Sequence, residues 1–288
     1  MNRILALSII ILSFSNLSFR WPLDNARLTS TFGESRADHF HDGIDMISES
    51  DKVYPVNKGR LVFMWNRSVF PLDNYWGGGN YKIIRHDGNM LSIYMHLQDG
   101  DDFKEYYDEN SILGYVGNTG HSYGKHIHFS ILDNVKRESV NPFLLLPRYG
   151  DSQAPQILNF YIRIGDRYTL LRDNSSIRLT KHYPLLVEIR DSVSGRENLG
   201  IYGIKAVFNG KAVHEAEYRS LGYSANGLTL NNRVFSDTAD EKGYYLISGL
   251  TYSEGVNSVT VTASDFNGNT SERTFNVDVH LDLQTGPK

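Results

Sequence analysis

The chain of 288 residues contains no cysteine. This absence excludes disulfide bonds, thiolate metal sites and cysteine nucleophiles, so any metal must be held by histidine and carboxylate side chains. An excess of positive charge is also missing, because 29 lysine and arginine residues stand against 33 aspartate and glutamate residues and the net charge is -4. We therefore expect no binding to nucleic acid.

Long apolar runs are missing beyond the first twenty residues. Arg3 precedes an apolar run over residues 4–14, a pattern that is typical of a secretory signal peptide. The run is shorter than the roughly 20 apolar residues that a membrane-spanning helix needs. We assign residues 1–18 as a signal peptide, prefer cleavage near residues 15–19 to an uncleaved anchor, and expect an exported protein without a stable membrane span.

No segment after the signal repeats apolar residues with the helical period, and the pattern predicts an all-β protein. In a first unit, residues 19–148, short β-type runs alternate with turn signals, and Asp87-Gly88 is typical of a hairpin turn. The runs cover residues 59–65, 81–85, 91–95, 111–116 and 126–131. We predict an antiparallel β-sheet domain.

A second β unit follows a linker over residues 149–155 and extends over residues 156–280, with a tail over residues 281–288. Its seven or so short strands predict an immunoglobulin-like β-sandwich. The clearest runs are residues 157–164, 185–189, 204–208, 244–246 and 259–263, with turns at Asn209-Gly210 and Asn267-Gly268. The segment 265–272 resembles a calcium loop superficially, but it has no glycine and no distal glutamate at the positions that such a loop requires, so we predict a hairpin turn there.

Histidines are concentrated in the first unit. Seven of the ten fall between residues 39 and 128, namely His39, His41, His86, His96, His121, His126 and His128. Because alternate residues of a strand project to the same face, His126 and His128 share one face, while Ile127 and Phe129 point to the core. The pair therefore predicts a functional site more strongly than a polar strand face.

His41, Asp45 and His96 complete a set of five side chains with the histidine pair. Three of the five can hold one metal ion, which leaves two imidazoles for proton transfer. Each motif alone has a plain structural alternative: a turn with a capping aspartate for His41–Asp45, and a polar strand end for His96. The combination favours a site.

These motifs resemble those of the lysostaphin/LytM-type zinc endopeptidases, which cut peptidoglycan peptides. Phe32-Gly33 precedes His41–Asp45, Tyr94-Met-His96-Leu97 ends a strand, and the glycine-rich run 114–120 precedes His126–His128. The resemblance covers about residues 27–146. Two features depart from the family pattern: the loop over residues 120–125 reads GHSYGK, and the segment from Phe32 to His41 is short.

The resemblance implies a role for each residue. His41, Asp45 and His128 would bind Zn²⁺, while His96 and His126 would orient and deprotonate water and then stabilise the charged intermediate. Peptidoglycan would be the partner, in the periplasm or facing the cell wall. We also assign Asn80 and Tyr94 as weak candidates for substrate binding, beside Gly77–Gly79, which fits either a close approach of substrate backbone or a flexible loop.

Other assignments stay open. A regulator of other cell-wall hydrolases that has lost catalysis, and a wall-binding protein dominated by its second unit, are the alternatives; the five retained residues favour an enzyme. Gly–Gly bridges and D-alanyl–diamino-acid cross-links are both cut by such enzymes, and we favour the second. We expect the second unit only to position the enzyme, so a chain ending near Tyr149 would keep zinc. The oligomeric state is undetermined.

Overall fold

The structure is a computed structural model that describes residues 19–73, 77–100, 103–193 and 198–282. The predicted signal peptide and residues 283–288 of the predicted tail lie outside the described residues. Strands dominate, and the three short 3-10 helices are Asp87–Asn89, Pro142–Leu144 and Phe235–Asp237. The prediction of an all-β protein with antiparallel sheets is confirmed. No helix within these described ranges is long and apolar enough to cross a membrane.

The first unit contributes ten strands, and their centre is β9. Along one edge β9 pairs with β6, and along the other its first half pairs with β2 and its second half with β10. The strands are β1 (Arg27–Ser30), β2 (Ile44–Ile47), β3 (Lys52–Val53), β4 (Gly59–Trp65), β5 (Asn80–Arg85), β6 (Met90–Leu97), β7 (Tyr106–Tyr107), β8 (Gly114–Tyr115), β9 (Ile127–Asp133) and β10 (Glu138–Val140).

The predicted hairpin lies between β5 and β6. Gly88 and Asn89 adopt positive φ angles of 70° and 61°, which this tight connection requires. Under the sheet, Ile127 and Phe129 are fully buried with Ile44, so one face of β9 is anchored in the core. That anchoring fixes the opposite face, which carries His128 and Ser130.

The second unit contains twelve strands. A four-stranded sheet has the order β12-β11-β14-β20, and a five-stranded sheet has the order β13-β22-β21-β15-β16, in which β13 and β22 run parallel. The strands are β11 (Gln156–Ile164), β12 (Arg167–Leu171), β13 (Ser175–Leu179), β14 (Leu185–Arg190), β15 (Gly203–Phe208), β16 (Lys211–Glu217), β17 (Ser220–Ser224), β18 (Gly227–Leu230), β19 (Arg233–Val234), β20 (Tyr245–Ile247), β21 (Gly255–Ser264) and β22 (Thr270–Leu281).

The two sheets of the second unit pack on each other through aromatic side chains. Phe160 of β11 stacks on Phe275 of β22 with ring centroids 4.8 Å apart, and both rings are fully buried. The immunoglobulin-like topology of this sandwich stays a prediction.

Three strands of the second unit join the sheet of the first. Strand β17 pairs with β10, with Leu221 opposite Ser139, and β18 and β19 continue the sheet to eleven strands. The contact extends to the loops before β2, where the Gly200 N–H donates to Glu34 Oε1 at 2.9 Å. Gly33, with a φ of 81°, lies so close to the Tyr218 ring that no side chain would fit there. The two predicted units therefore share one sheet and one interface.

Candidate metal centre

Three of the predicted site residues meet where β2 pairs with β9. Asp45 of β2 lies directly opposite His128 of β9 in the antiparallel register, so their side chains project from the same face. His41 precedes β2 in the chain and reaches the same point from the loop before it. All three side chains are largely buried.

One atom from each of these residues converges on a common point. His41 Nε2 lies 2.9 Å from His128 Nδ1 and 3.1 Å from Asp45 Oδ1. Asp45 Oδ1 lies 3.0 Å from His128 Nδ1. In a tetrahedral zinc site with bonds of about 2.0–2.1 Å, ligand atoms stand roughly 3.3 Å apart, so a small adjustment of the side chains would accommodate the ion.

Hydrogen bonds on the outer side of the rings determine which nitrogens face inward. His41 Nδ1 lies 2.8 Å from the carbonyl oxygen of Thr31, to which it donates, and this leaves a lone pair on Nε2. His128 Nε2 lies 3.3 Å from Asp42 Oδ1 and 2.8 Å from Ser130 Oγ, so in the neutral ring the proton is on Nε2 and the inward Nδ1 carries a lone pair. Lone pairs that converge in this way fit a cation, and outer partners of this kind orient metal ligands.

The electrostatics of the cluster also favour a cation. Burial lowers the pKa of His128, but hydrogen bonds to Asp42 and Asp45, together with their charges, outweigh burial and raise it to about 9. Burial opposes the ionisation of Asp45 as well, yet His41 and His128 hold the pKa of its carboxyl well below the usual range. A proton and a metal ion therefore compete for this pocket. Arg36 Nη2 binds the outer oxygen, Asp45 Oδ2, at 2.7 Å.

The remaining two predicted histidines lie beside this cluster. The His96 ring is 4.9 Å from the His126 ring and 6.2 Å from the His128 ring, measured between centroids. His96 Nδ1 lies 2.8 Å from Thr119 O, and His126 Nδ1 lies 2.8 Å from Gly124 O. Because Nδ1 donates in each ring, Nε2 of each neutral imidazole carries the lone pair. His126 Nε2 is 3.9 Å from Asp45 Oδ1.

His96 has an unusual backbone and an altered acidity. Its φ of 62° lies in the left-handed region that a histidine adopts at a cost, and its N–H donates to Gly78 O at 2.9 Å. Burial lowers the pKa of His96 to about 4, so the imidazole is neutral at pH 7. The glycine-rich segment 77–79 thus contacts the end of β6, which carries His96.

An open groove of about 870 Å³ runs over the five residues. Its lining includes Gly77, Gly78 and part of the 120–125 loop, which are neighbours because the His121 N–H donates to Gly77 O at 2.9 Å. His39, His121 and Tyr123 also line it. Two histidines to which the sequence assigned no role, His39 and His121, therefore border the groove.

Tyr94 and Asn80, the two weak candidates for substrate binding, do not lie in the groove. Tyr94 is fully buried against Phe129, and its hydroxyl accepts the Val56 N–H at 2.8 Å, so it cannot contact a substrate. Asn80 is also buried, and its amide donates to Asp99 Oδ1 at 2.9 Å. Both predictions are replaced by structural roles, because each side chain closes hydrogen bonds inside the sheet.

Three side chains that contact the ligands of this centre were not predicted from the sequence: Arg36, Asp42 and Ser130. Ser130 could have been predicted from the alternation that places His126 and His128 on one face, because it is the next residue on that face. Asp42 lies within the His41–Asp45 motif, but nothing in its spacing marks it as the partner of His128. Arg36 reaches Asp45 only through the fold of the loop before β2.

Comparison with known proteins shows what the region around this centre is similar to. Residues 39–142 match the model of Peptidase family M23, and a separate model without a functional description matches residues 154–280. The peptidoglycan DD-endopeptidase ShyC of Vibrio cholerae is 31% identical over 121 residues, which are 40% of this chain and 27% of ShyC. The murein hydrolase activator NlpD of Escherichia coli is 29% identical over 137 residues, which are 46% of this chain and 32% of NlpD.

The chain spans only about a third or less of the length of these two relatives. Among solved structures, the catalytic domain of lysostaphin from Staphylococcus simulans aligns over 42% of this chain and 91% of that domain, with 21% identity and a TM-score of 0.35. The family match spans all five predicted site residues. Residues 39–142 are therefore similar to Peptidase family M23, as the motifs predicted.

Proposed function

We propose that this chain is an exported zinc metalloendopeptidase that hydrolyses peptide bonds of peptidoglycan. The observation that carries the proposal is the convergence of lone pairs from His41, Asp45 and His128 beneath an open groove. Three protein ligands with room for a fourth are typical of catalytic zinc sites, whereas structural sites are closed by four. The all-nitrogen-and-oxygen donor set also suits zinc.

The chemistry divides between the metal and two imidazoles. A zinc ion bound here would act as a Lewis acid that polarises a carbonyl group and makes water more acidic. His96 is neutral at pH 7 and presents a free Nε2, so it is suited to accept a proton from water. His126, held through Nδ1 by Gly124 O, presents the lone pair of Nε2 and would help to orient the attacking water. The imidazolium that His96 becomes when it takes a proton from water would stabilise the negative charge on the carbonyl oxygen and then pass that proton to the leaving amine.

For the substrate we propose the D-alanyl–diamino-acid cross-link. The DD-endopeptidase named among the relatives supports this bond. The groove has room for a peptide, and the glycines in its lining, Gly77 and Gly78, allow close approach of a backbone.

The unit assignments are part of the same proposal. Every residue to which we assign chemistry lies in the 19–148 unit, and the 156–280 sandwich would position that unit on the cell wall. An export signal over residues 1–18 would bring the protein to peptidoglycan, in the periplasm or facing the wall.

A second candidate function is the activation of other wall hydrolases. The relationship to NlpD, which is named as a murein hydrolase activator, supports it. The complete donor set and the two unligated imidazoles favour catalysis, because an activator needs none of them.

Digestion of purified sacculi separates the two functions. The zinc-loaded full chain should convert cross-linked muropeptides into monomers that mass spectrometry identifies, and the His126→Ala variant should release none. An activator would release nothing alone, yet it would stimulate an added murein hydrolase equally well as wild type and as His126→Ala. That second pattern would overturn the enzymatic proposal.

A further inference from the structure

A second cluster of potential ligands lies away from the histidines, where the linker meets the sandwich. We call Asp151, Asp191 and Asp265 the junction cluster. One carboxylate oxygen of each residue lies within 4.8 Å of one from each of the others. Asp151 belongs to the linker, Asp191 follows β14, and Asp265 begins the turn between β21 and β22.

The cluster lacks positive charge within the described part of the chain. None of the three carboxylates forms an ion pair with a described residue. Asp191 is only 4% exposed, and its Oδ1 is buried without a hydrogen-bond partner. A buried carboxylate oxygen without a partner is costly, which is why such groups are normally paired or bound to metal.

The other two aspartates are already oriented by the backbone. Asp265 Oδ1 accepts the N–H groups of Asn267 and Asn269, each at 2.8 Å. Asp151 Oδ1 accepts the Gln153 N–H at 3.0 Å. These bonds hold two carboxylates in place before any ligand arrives, so the site is preorganised.

A small cavity separates the cluster from the first unit. Its volume is about 10 Å³, and it is lined by all three aspartates together with Thr31 and Tyr149. A space of roughly this size accommodates one water molecule or one ion. Burial and the charge of Asp265 also raise the pKa of Asp191 to about 7, as expected where negative charge is not compensated.

We propose that the junction cluster binds a divalent cation, and that calcium is the ion it fits. All its side-chain donors are carboxylate oxygens, which select hard cations over zinc. Calcium accepts irregular arrangements of six to eight oxygens, whereas magnesium demands near-octahedral geometry and retains its water. The cluster shares no residue with the metal centre at His41, Asp45 and His128.

The ion would join three segments of the fold. Asp151 connects it to the linker, Asp191 and Asp265 connect it to the sandwich, and the first unit forms the opposite wall of the cavity. Bound calcium would therefore fix the linker against both units and stabilise the arrangement in which β17 extends the sheet through β10.

Thermal unfolding of the full chain tests this site. Protein freed of metals on a chelating resin is reloaded with one equivalent of zinc and then titrated with CaCl₂ at pH 7.5. At 10 mM calcium the melting temperature should rise by about 3 °C or more, as expected for a site of millimolar affinity. Terbium(III) provides a second probe, because Tyr149 beside the cavity should sensitise its emission.

The Asp191→Asn variant supplies the deciding comparison. Without calcium it should melt above the wild type, because one repelling charge is gone, and with calcium it should show neither the thermal shift nor terbium emission. Asp166→Asn, an exposed aspartate of the same unit, should respond to calcium as the wild type does. A wild type insensitive to calcium, or an Asp191→Asn variant with the full calcium shift, would overturn the proposal. Zinc content, measured by atomic emission, should be equal in all three proteins.

Discussion

Asp45 and His128 face each other across β2 and β9, with Asp45 Oδ1 3.0 Å from His128 Nδ1. Strand pairing thus brings together two ligand atoms that are 83 residues apart in the chain. The buried apolar residues on the other face of β9 prevent a shift of register that would separate them. The geometry of the metal centre is therefore a property of the sheet.

Removal of a ligand should abolish metal binding. His41→Ala takes away one of three converging donors and leaves His128 and Asp45 without the third, so zinc affinity should fall by at least about 100-fold. Zinc content after dialysis measures the loss. His39→Ala, which removes an exposed histidine two residues away, should keep one equivalent of zinc. Full zinc occupancy in His41→Ala would contradict the ligand assignment.

Replacement of an imidazole that does not bind the metal should reduce catalysis without reducing zinc binding. His96→Ala and His126→Ala should retain zinc, while turnover of a cross-linked muropeptide falls by about 10²–10⁴-fold, the usual contribution of a general acid or base. Parallel measurements of zinc content and initial rate are required. A variant that loses zinc would show that its histidine is a ligand.

Gly43 should not tolerate a side chain. A Cβ atom there would lie 2.5 Å from Phe129 O and 2.7 Å from both His128 Nε2 and Ser130 Oγ. Gly43→Ala should therefore lower the free energy of unfolding by about 1–3 kcal/mol and weaken zinc binding by displacing His128. Urea denaturation measures the first effect. Gly150→Ala, which meets no atom within 4 Å, should leave both quantities unchanged.

His214 should make the fold less stable in mild acid. Burial and the nearby Arg233 lower its pKa to about 4, so the folded protein keeps this imidazole neutral. The unfolded chain takes up a proton below about pH 6.5, and stability is therefore lost as the pH falls from 6.5 towards 4. Because the ring is partly exposed, we expect a contribution of only about 1 kcal/mol at pH 5.

The His214→Gln variant isolates this effect from the other histidines. Between pH 8 and pH 5 its free energy of unfolding should decrease by about 1 kcal/mol less than that of the wild type. Equal decreases in the free energy of unfolding of both proteins would show that His214 does not contribute to the loss of stability in acid.

The shared sheet should make the first unit dependent on the second. Truncation after Tyr149 exposes the β10 edge and removes Tyr218 from Gly33, so we now expect loss of folding, contrary to the independence inferred from the sequence. In the full chain, Leu221→Ala should cost about 2–5 kcal/mol, because Leu221 is fully buried beside β10.

The control for this interface is Val256→Ala, which changes an exposed valine of the sandwich and should have little effect. A truncated chain that folds, binds zinc and melts at the temperature of the full protein would show that the units are independent.

Local patterns in the sequence determined the strands, the turns and the faces. Alternation predicted β4, β5, β6 and β9 within one or two residues, because a period of two specifies which side chains share a face. Asp87-Gly88 and Asn209-Gly210 predicted tight connections, because positive φ angles favour these residue types. The motif order around the five site residues also predicted the family to which residues 39–142 are similar.

Only the tertiary structure decided which strands and side chains meet across long separations. Alternation states which face a residue occupies but not which strand lies beside it, so the pairing of β10 with β17 was invisible in the sequence. The same limit hid Asp42 beside His128 and the junction of Asp151, Asp191 and Asp265. Tyr94 shows the converse: its motif position indicated the site, but packing against Phe129 placed it in the core, because a large ring gains more from burial than from exposure.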